Sequence, residues 1–443
     1  MPPADLTPAH ALGGGAPGEV QPAMGRQIEV AHNATGRTAQ RSSLPWAEAY
    51  AAAAGAAEAL PAEQIELSEA AGRVLAADVT AQHDVPHYAS SAMDGWAVAG
   101  SGPWNVADPL GGHLGDATVD GQLRPGRALP IVTGALVPEG ADAVLRSENG
   151  EVRAGHLTLN TAGISAGDPH PGQHIRPRAQ EAREGDLVIA RGTVVNPAHI
   201  AVAALCALDT LLVVRQPRVA FVFTGDEVDE RGTPKPGRVR DTFGPQLPSG
   251  FRMLGALPLG SRRCPDDLEA TIAAVAEASA GANLLVTTGG TGGSPADHLR
   301  SALRTLKARI LIDGVAMRPG SPTLLARLPS GTFVICLPGN PLAAMMGVLT
   351  VAVPLVAALS GDLSVSSAPR SSRAVAGAAL AGKAETTLLL PGTLLDGVAT
   401  PNPWTGSGMM RGLAEADGVL VVPSDGIEAG EPVRVLKLPW PQR

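Results

Sequence analysis

The chain has 443 residues, 44% of them hydrophobic and 17% charged, with a net charge of −8. That composition supports several packed domains and excludes wholesale disorder. The acidic balance argues against non-specific binding to nucleic acid or to a membrane surface, and aromatics at 3% leave little material for base-stacking platforms.

Residues 1–41, rich in Pro, Gly, Ala and Thr, read as a disordered tail without an apolar secretory core. WAEAYAAAAGAAEAL, from Trp46, has helical composition, and Pro61 stops it. LSEAAGRVLAADV reads as a second helix running into a short extended piece. Residues 79–180 change to Gly, Pro and short β-branched runs such as ALPIVTGALVP and GHLTLNTAG, the pattern of a β-rich insert. NPAHIAVAALCAL is then a helix, with Asn196 as N-cap and Pro197 at the first helical position.

From Pro217, strands alternate with helices. RVAFVF is apolar on both faces, as in a parallel sheet covered on both sides. MLGALPLG, NLLVTTGG and TFVICLPG supply further strands, so residues 217–362 read as a doubly wound α/β domain. MMGVLTVAVPLVAALSG is short for a membrane span and suits a core helix. After it, short strands spaced by Gly, Pro and Asp over 363–443 suggest a small β-barrel or sandwich. Cys206, Cys264 and Cys336 are far apart and show neither zinc spacing nor a disulfide framework, which fits a reducing cytoplasm.

In an open α/β sheet, ligands bind beyond the carboxyl ends of the strands. Three loops belong there. TGDEV places Asp226 and Glu227 at a strand end. TTGGTGGSPAD offers Gly289, Gly290, Thr291, Gly292, Ser294 and Asp297. LPGNP offers Pro338, Gly339, Asn340 and Pro341, with Asn340 placed to cap a following helix. Backbone donors and helix N-termini suit a phosphate; the carboxylates suit a divalent cation or a proton. Neither a Walker A loop nor GxGxxG is present, and each loop alone reads equally as an ordinary glycine turn. Arg318, in MRPGSP, could clamp a phosphate or simply be solvated. Asp94 in SSAMDGWAV and Thr133 in VTGALVPEGADAV are turn-like positions taken singly.

Taken in order, GRVLAADV, DVPHYASSAMDGWAV, IVTGALVPEGADAVLRSE, GQHIRPR, RVAFVFTGDEV, VAMRPGSP, LPGNPLAAMM and WTGSGMMRGLAEADGVLVVP resemble the molybdopterin molybdenumtransferase family, which includes the E domain of gephyrin. The resemblance implies a discontinuous helical domain (42–78 and 181–216) flanking the β-rich domain, then the α/β molybdopterin-binding domain and a C-terminal β-barrel. It implies a homodimer whose active sites lie between the α/β domain of one subunit and the β-rich domain of the other. It further implies insertion of molybdate into adenylylated molybdopterin with release of AMP and help from Mg²⁺, and a molybdopterin adenylyltransferase as a candidate partner. Asp94, Thr133, Glu227, Asp297, Pro338, Pro341 and Ser407 fall on functional positions, with Asp226, Glu227 and Asp297 as metal ligands.

The chain also departs from the family pattern. The glycine loop usually reads SGGVSVGxxD. The KPGKP turn is RPGSP, so Arg318 and Ser321 replace lysines, and Gly314 stands where a further lysine is common. Glu181 stands near another acid's place. Near LGSRRCPDD an acid is displaced by Arg263 or Cys264, with Asp266 or Asp267 as substitutes. The Asp-Ser-Asn triplet is Asp241-Thr242-Phe243. These departures keep two alternatives open: a non-catalytic molybdopterin carrier, and an adenylyltransferase, whose loop GGTG resembles more closely.

Overall fold

The computed structural model describes residues 43–106, 122–160, 169–290, 298–365 and 367–440. The expected tail, 1–41, lies outside them. The described residues all belong to one unit, Arg41–Arg443.

The central sheet has six strands: β1 (Arg218–Phe223), β2 (Leu257–Arg263), β3 (Leu284–Thr288), β4 (Arg309–Asp313), β5 (Leu324–Arg327) and β6 (Phe333–Leu337). Their spatial order is β2-β1-β3-β6-β5-β4. The first four run parallel; β5 and β4 complete the sheet antiparallel. Alternation along β1 explains the double winding. Val219, Phe221 and Phe223 enter one core with Trp46, Phe251 and Leu355, while Ala220 and Val222 enter another with Val275, Leu299 and Leu303. Both faces are thus covered by helices, so β3 and β6 are buried along their whole length. The antiparallel edge 309–327 does not follow the strand–helix alternation and is not evident from it.

Behind β6 comes a continuous helix, Pro341–Ser360, long and apolar enough by composition to cross a membrane but 89% buried within the protein. It is longer than its apolar run suggests. Its middle, Val348–Ala352, is a π-helix. Pro354 lies just beyond, and its ring would crowd the carbonyl of Thr350 in a regular α-helix, so the widened turn makes room.

The N-terminal helix, Trp46–Ala54, packs on this long helix. Trp46 is 4% exposed and its indole Nε1 donates to Thr350 Oγ1 at 3.1 Å. The helix thereby joins the α/β core rather than the discontinuous segment, and it ends at Gly55, well before Pro61. The expected helix over LSEAAGRVLAADV is only a 3₁₀ turn, Leu67–Glu69. Gly72 has a positive φ (77°) that breaks the helix, and Leu75 and Val79 are drawn into a small core with Ile189, Leu211 and Val213. Tertiary burial overrides helix propensity here. The discontinuous segments meet through strands: Ala62–Glu66 pairs with Thr210–Val214, and Val79–Thr80 with Leu187–Ile189. The helix Pro197–Leu205 forms as expected, with Asn196 Oδ1 accepting from His199 N at 2.9 Å in a capping box.

The β-rich insert forms a six-stranded sheet, in the order Ala143–Arg146, Gly95–Ala99, Arg127–Ile131, Trp104–Val106, His156–Leu159, Gly150–Arg153. Of the barrel or sandwich expected for the C-terminal region, the barrel is correct. Thr387–Leu395, Val398–Pro401, Ser371–Ala376, Pro432–Lys437 and Gly418–Val422 pair in turn, and the last closes on the first. The strand Val315–Arg318 ties this barrel to Leu44–Pro45.

Truncating the tryptophan tests how the N-terminal helix is held. Trp46→Ala should cost about 3–5 kcal/mol, read as a lower urea midpoint, whereas Trp46→Phe should lose about 1 kcal/mol for the hydrogen bond.

Candidate active site

Parallel strands bring their carboxyl ends to one rim, and three loops interlock there. Thr224 Oγ1 donates to Thr288 O at 2.8 Å, and Gly289 N donates to Leu337 O at 3.1 Å. A Cβ on Gly289 would stand 2.5 Å from Thr224 Oγ1, and one on Gly339 would lie 3.8 Å from Gly289 Cα. Gly289 also has φ +82°. Glycine is therefore required at 289 both for backbone shape and for this close approach.

A fourth loop joins them from β2. Gly225 N and Asp226 N donate to the Asp266 carboxylate at 3.2 and 3.3 Å, and Asp266 N returns a bond to Asp226 Oδ1 at 3.4 Å. Asp266 is thus the acid that reaches the rim. Asp267 instead caps the helix Leu268–Ser279 through Ala270 N. Asp226 faces Asp266, while the exposed Glu227 carboxylate has no hydrogen-bond or ion-pair partner among the described residues.

Asn340 does not cap the helix that begins at Pro341: its side chain makes no capping bond. The carbonyl of Ser407 takes that role, accepting from Ala343 N at 3.1 Å, and the Asn340 side chain faces the loop carrying Gly408. This places Ser407 at the helix N-terminus. The RPGSP turn packs on the same first turn. A Cβ on Gly320 (φ +113°) would lie 2.9 Å from Ala343 O. Arg318 is exposed beside it and makes no ion pair among the described residues. Gly289, Gly290, Arg318, Pro338, Gly339, Asn340, Pro341 and Ser407 are therefore gathered around one rim. Thr291, Gly292, Ser294 and Asp297 lie outside the described residues.

Arg263, at the end of β2, bonds Asp241 Oδ2 at 2.6 Å and Glu230 Oε1 at 3.3 Å. Asp241 also accepts from Phe243 N and Gly244 N, both at 3.0 Å. Burial pushes its carboxyl up, but the Gly244 N–H and the Arg263 guanidinium outweigh that and hold it below the usual range. Cys264 is buried, and desolvation raises its thiol. Arg263, not Cys264, thus takes part in the rim's electrostatics.

Asp94 and Thr133 form a separate pair in the β-rich sheet region. Asp94 Oδ1 accepts from Thr133 N at 2.7 Å and Oγ1 at 2.8 Å. Among the described residues no hydrogen bond or ion pair links them to the rim. Met93, Val132 and Leu136 flank the pair with 36%, 43% and 45% exposure. Tyr88, which lies in the DVPHYASSAMDGWAV motif but is given no role by it, donates its hydroxyl to Gly134 O at 3.3 Å. No local signal reveals that bond, because it joins segments 46 residues apart.

Three family models match in succession: the MoeA N-terminal region (domain I and II) over residues 44–207, a probable molybdopterin binding domain over 220–358, and the MoeA C-terminal region (domain IV) over 373–438. The chain belongs to the MoeA family. Its relatives include the molybdopterin molybdenumtransferase of Staphylococcus aureus (strain Mu50), 29% identical over 89% of this chain and 90% of that one. The corresponding Staphylococcus epidermidis protein (strain RP62A) is 28% identical over 84% of each. Two solved structures of the molybdopterin biosynthesis moeA protein from Pyrococcus horikoshii share the fold, with TM-scores of 0.71 and 0.72. Their identities are 24% and 20%, over 90% and 89% of this chain and 99% and 100% of theirs.

In this MoeA-family chain the backbone N–H of Thr133, then its hydroxyl, hold the Asp94 carboxyl below its ordinary value. A depressed carboxylate contributes stability that is present above its unfolded value and is lost as pH falls through the folded one. Thr133→Val removes only the hydroxyl, so carboxyl NMR titration should find Asp94 shifted part of the way back up; an unmoved titration would contradict the pairing.

Proposed function

We propose that this chain is a molybdopterin molybdenumtransferase, acting in molybdenum cofactor biosynthesis by inserting molybdate into adenylylated molybdopterin and releasing AMP. The observation that carries this reading is the interlocked rim, where three strand-end loops, the RPGSP turn and the Ser407 loop meet. The N–H groups of Gly339 and Asn340 have no hydrogen-bond partner among the described residues and stand at a helix N-terminus, which suits a phosphate. Arg318 adds a planar cation for a phosphate or for the molybdate oxyanion.

Among the described residues no three or more His, Cys, Asp or Glu gather as a metal cage. Mg²⁺ needs only one or two carboxylates plus substrate phosphates, so the unpartnered Glu227 fits it, with Asp297 as the second candidate. When bound, the ion neutralises phosphate charge. The chain's own residues do the rest. Backbone donors orient the phosphates, and glycines let the loops come close without side chains between them. Asp94, held by Thr133, presents acceptor oxygens to a proton on the reacting oxyanion.

Asp94 and Thr133 would reach the rim from a second subunit, making the homodimer part of this proposal. The apolar residues exposed around the pair, Met93, Val132 and Leu136, support burial of that face by a partner. A cytoplasmic location and the fourfold division of the chain belong to the same proposal, with residues 44–60 assigned to the α/β part.

One observation favours the carrier reading as a second. Gly314 has φ +90°, and a Cβ there would lie 3.1 Å from Ser43 Oγ, so the position suits glycine and not a lysine. A lost cation weakens oxyanion capture more than pterin binding.

Incubation with adenylylated molybdopterin, Mg²⁺ and molybdate decides between them. Wild type should release AMP, and Glu227→Gln and Asp94→Asn should each slow release about 100-fold or more. Mixing the two inactive variants should restore about a quarter of wild-type activity if each site draws on both subunits of a dimer. Tight pterin binding with no AMP release from wild type would leave the carrier.

A further inference from the structure

A cavity of about 450 Å³ lies at the opposite end of the central sheet from the rim. Gln216 and Gly255, just before β1 and β2, line it, as does Ser360 at the C-terminus of the long helix. The linker after that helix and the barrel strand ending at Lys437 close its sides. None of the rim residues contributes to it.

Three polar groups in its walls lack partners. Tyr50 is 1% exposed, and its hydroxyl makes no hydrogen bond to any described residue. Ser360 Oγ and Arg73 Nε are buried and unpartnered. Buried donors are costly to leave unsatisfied, so Ser360 Oγ and Arg73 Nε, with the unpartnered Tyr50 hydroxyl beside them, call for an occupant that accepts hydrogen bonds. Burial raises the Tyr50 hydroxyl to about 12, against the opposing pull of Arg370, so it is a donor at neutral pH.

Charge points to the occupant's sign. Arg73, Arg215, Arg252, Arg370 and Lys437 line the cavity. Two acids answer them: Asp362, 3.5 Å from Arg370, and Glu63, which pairs with Arg73 at 2.5 Å and Arg215 at 3.7 Å. Five cations against two acids leave a surplus of three positive charges. Arg252 and Lys437, on the exposed rim of the cavity, have no acidic partner among the described residues. The helix C-terminus does not account for this surplus. Its dipole amounts to about half a negative charge, and the carbonyls of Ala357, Ala358 and Leu359 already accept from Asp362, Gly361 and Leu60.

The other walls are apolar, with Leu254, Leu349, Val353 and Ala357 facing the cavity. Its volume falls in the range of small-molecule sites, about 300–1,000 Å³, and exceeds what a bare inorganic anion fills. We infer that this cavity binds an organic phosphate ester, its phosphate held by Arg252, Lys437 and the Tyr50 and Ser360 hydroxyls and its apolar body laid against the long helix.

AMP is a suitable probe, with adenosine and inorganic phosphate as controls, titrated calorimetrically into the full chain. AMP should occupy a class of site that the double variant Arg252→Gln/Lys437→Gln weakens at least about tenfold. Tyr50→Phe, which preserves the ring's packing, should weaken the same class by about threefold or more. Adenosine and inorganic phosphate should each bind at least about tenfold more weakly than AMP. AMP release from adenylylated molybdopterin should be unchanged in the double variant. Superimposable AMP isotherms for wild type and double variant would overturn the inference, as would inorganic phosphate binding as tightly as AMP. A chain inactive as an insertase that retains the variant-sensitive AMP class would sink the proposed function and leave this site standing.

Discussion

The helix Pro341–Ser360 is the constraint on which the remaining structure depends. A segment so apolar and so buried needs partners for most of its terminal N–H groups and carbonyls. Its side chains carry no caps; Gly361 (φ 70°) and Asp362 close its C-terminus locally on the Ala358 and Ala357 carbonyls, and distant parts of the chain supply the rest. Ser407 O takes the Ala343 N–H at the start, and Leu60 N takes the Leu359 carbonyl at the end. Trp46 reaches its middle through Thr350. One helix therefore fixes the barrel loop at the rim, the N-terminal helix on its flank and the cavity at its far end.

The second constraint is the crowding of loops where the parallel strands end. Thr224, Gly289 and Gly339 come together because their strands, β1, β3 and β6, are neighbours in the sheet. The glycines there are explained by backbone approach before any ligand is considered. The N–H groups of Gly339 and Asn340 there have no hydrogen-bond partner among the described residues. On the proposed reading, the rim's affinity for anions would follow from how the sheet ends, with the side chains around it refining the chemistry.

What could be read from the sequence was whatever is decided within a few residues. The Asn196 cap, Pro197, the doubly apolar β1 and the glycine-bearing strand ends carry their signals locally. Readings failed where a distant partner decides. LSEAAGRV has helical composition, but Gly72 and the pull of Leu75 toward Val213 make it an irregular bridge. Asn340 looks like a cap, yet the carbonyl of Ser407, 67 positions on, arrives first in space. Arg263 gives no local hint that it will hold Asp241, since the two meet only after a helix and a strand are laid down. The barrel's closure depends on pairing Leu388–Gly392 with Gly418–Val422, a register no single segment reveals.

Charge at the rim bears directly on the proposed chemistry. Arg263 is occupied by Asp241 and Glu230, so its guanidinium balances acids of the chain and not a ligand. Arg318 has no such partner among the described residues. A guanidinium reads a planar pair of oxygens well but does not substitute for a compact ammonium against a tetrahedral oxyanion. On the proposed reading, the rim would rely for molybdate on backbone donors and on groups brought by the second subunit. Asp94 would then act less as a free base than as an anchored acceptor, because two hydrogen bonds from Thr133 hold its carboxyl below the usual range. On that reading, a rim with few cations would hold the oxyanion only with donors supplied across the proposed dimer face. Such a rim would tie chemistry to assembly more tightly than a lysine-rich one.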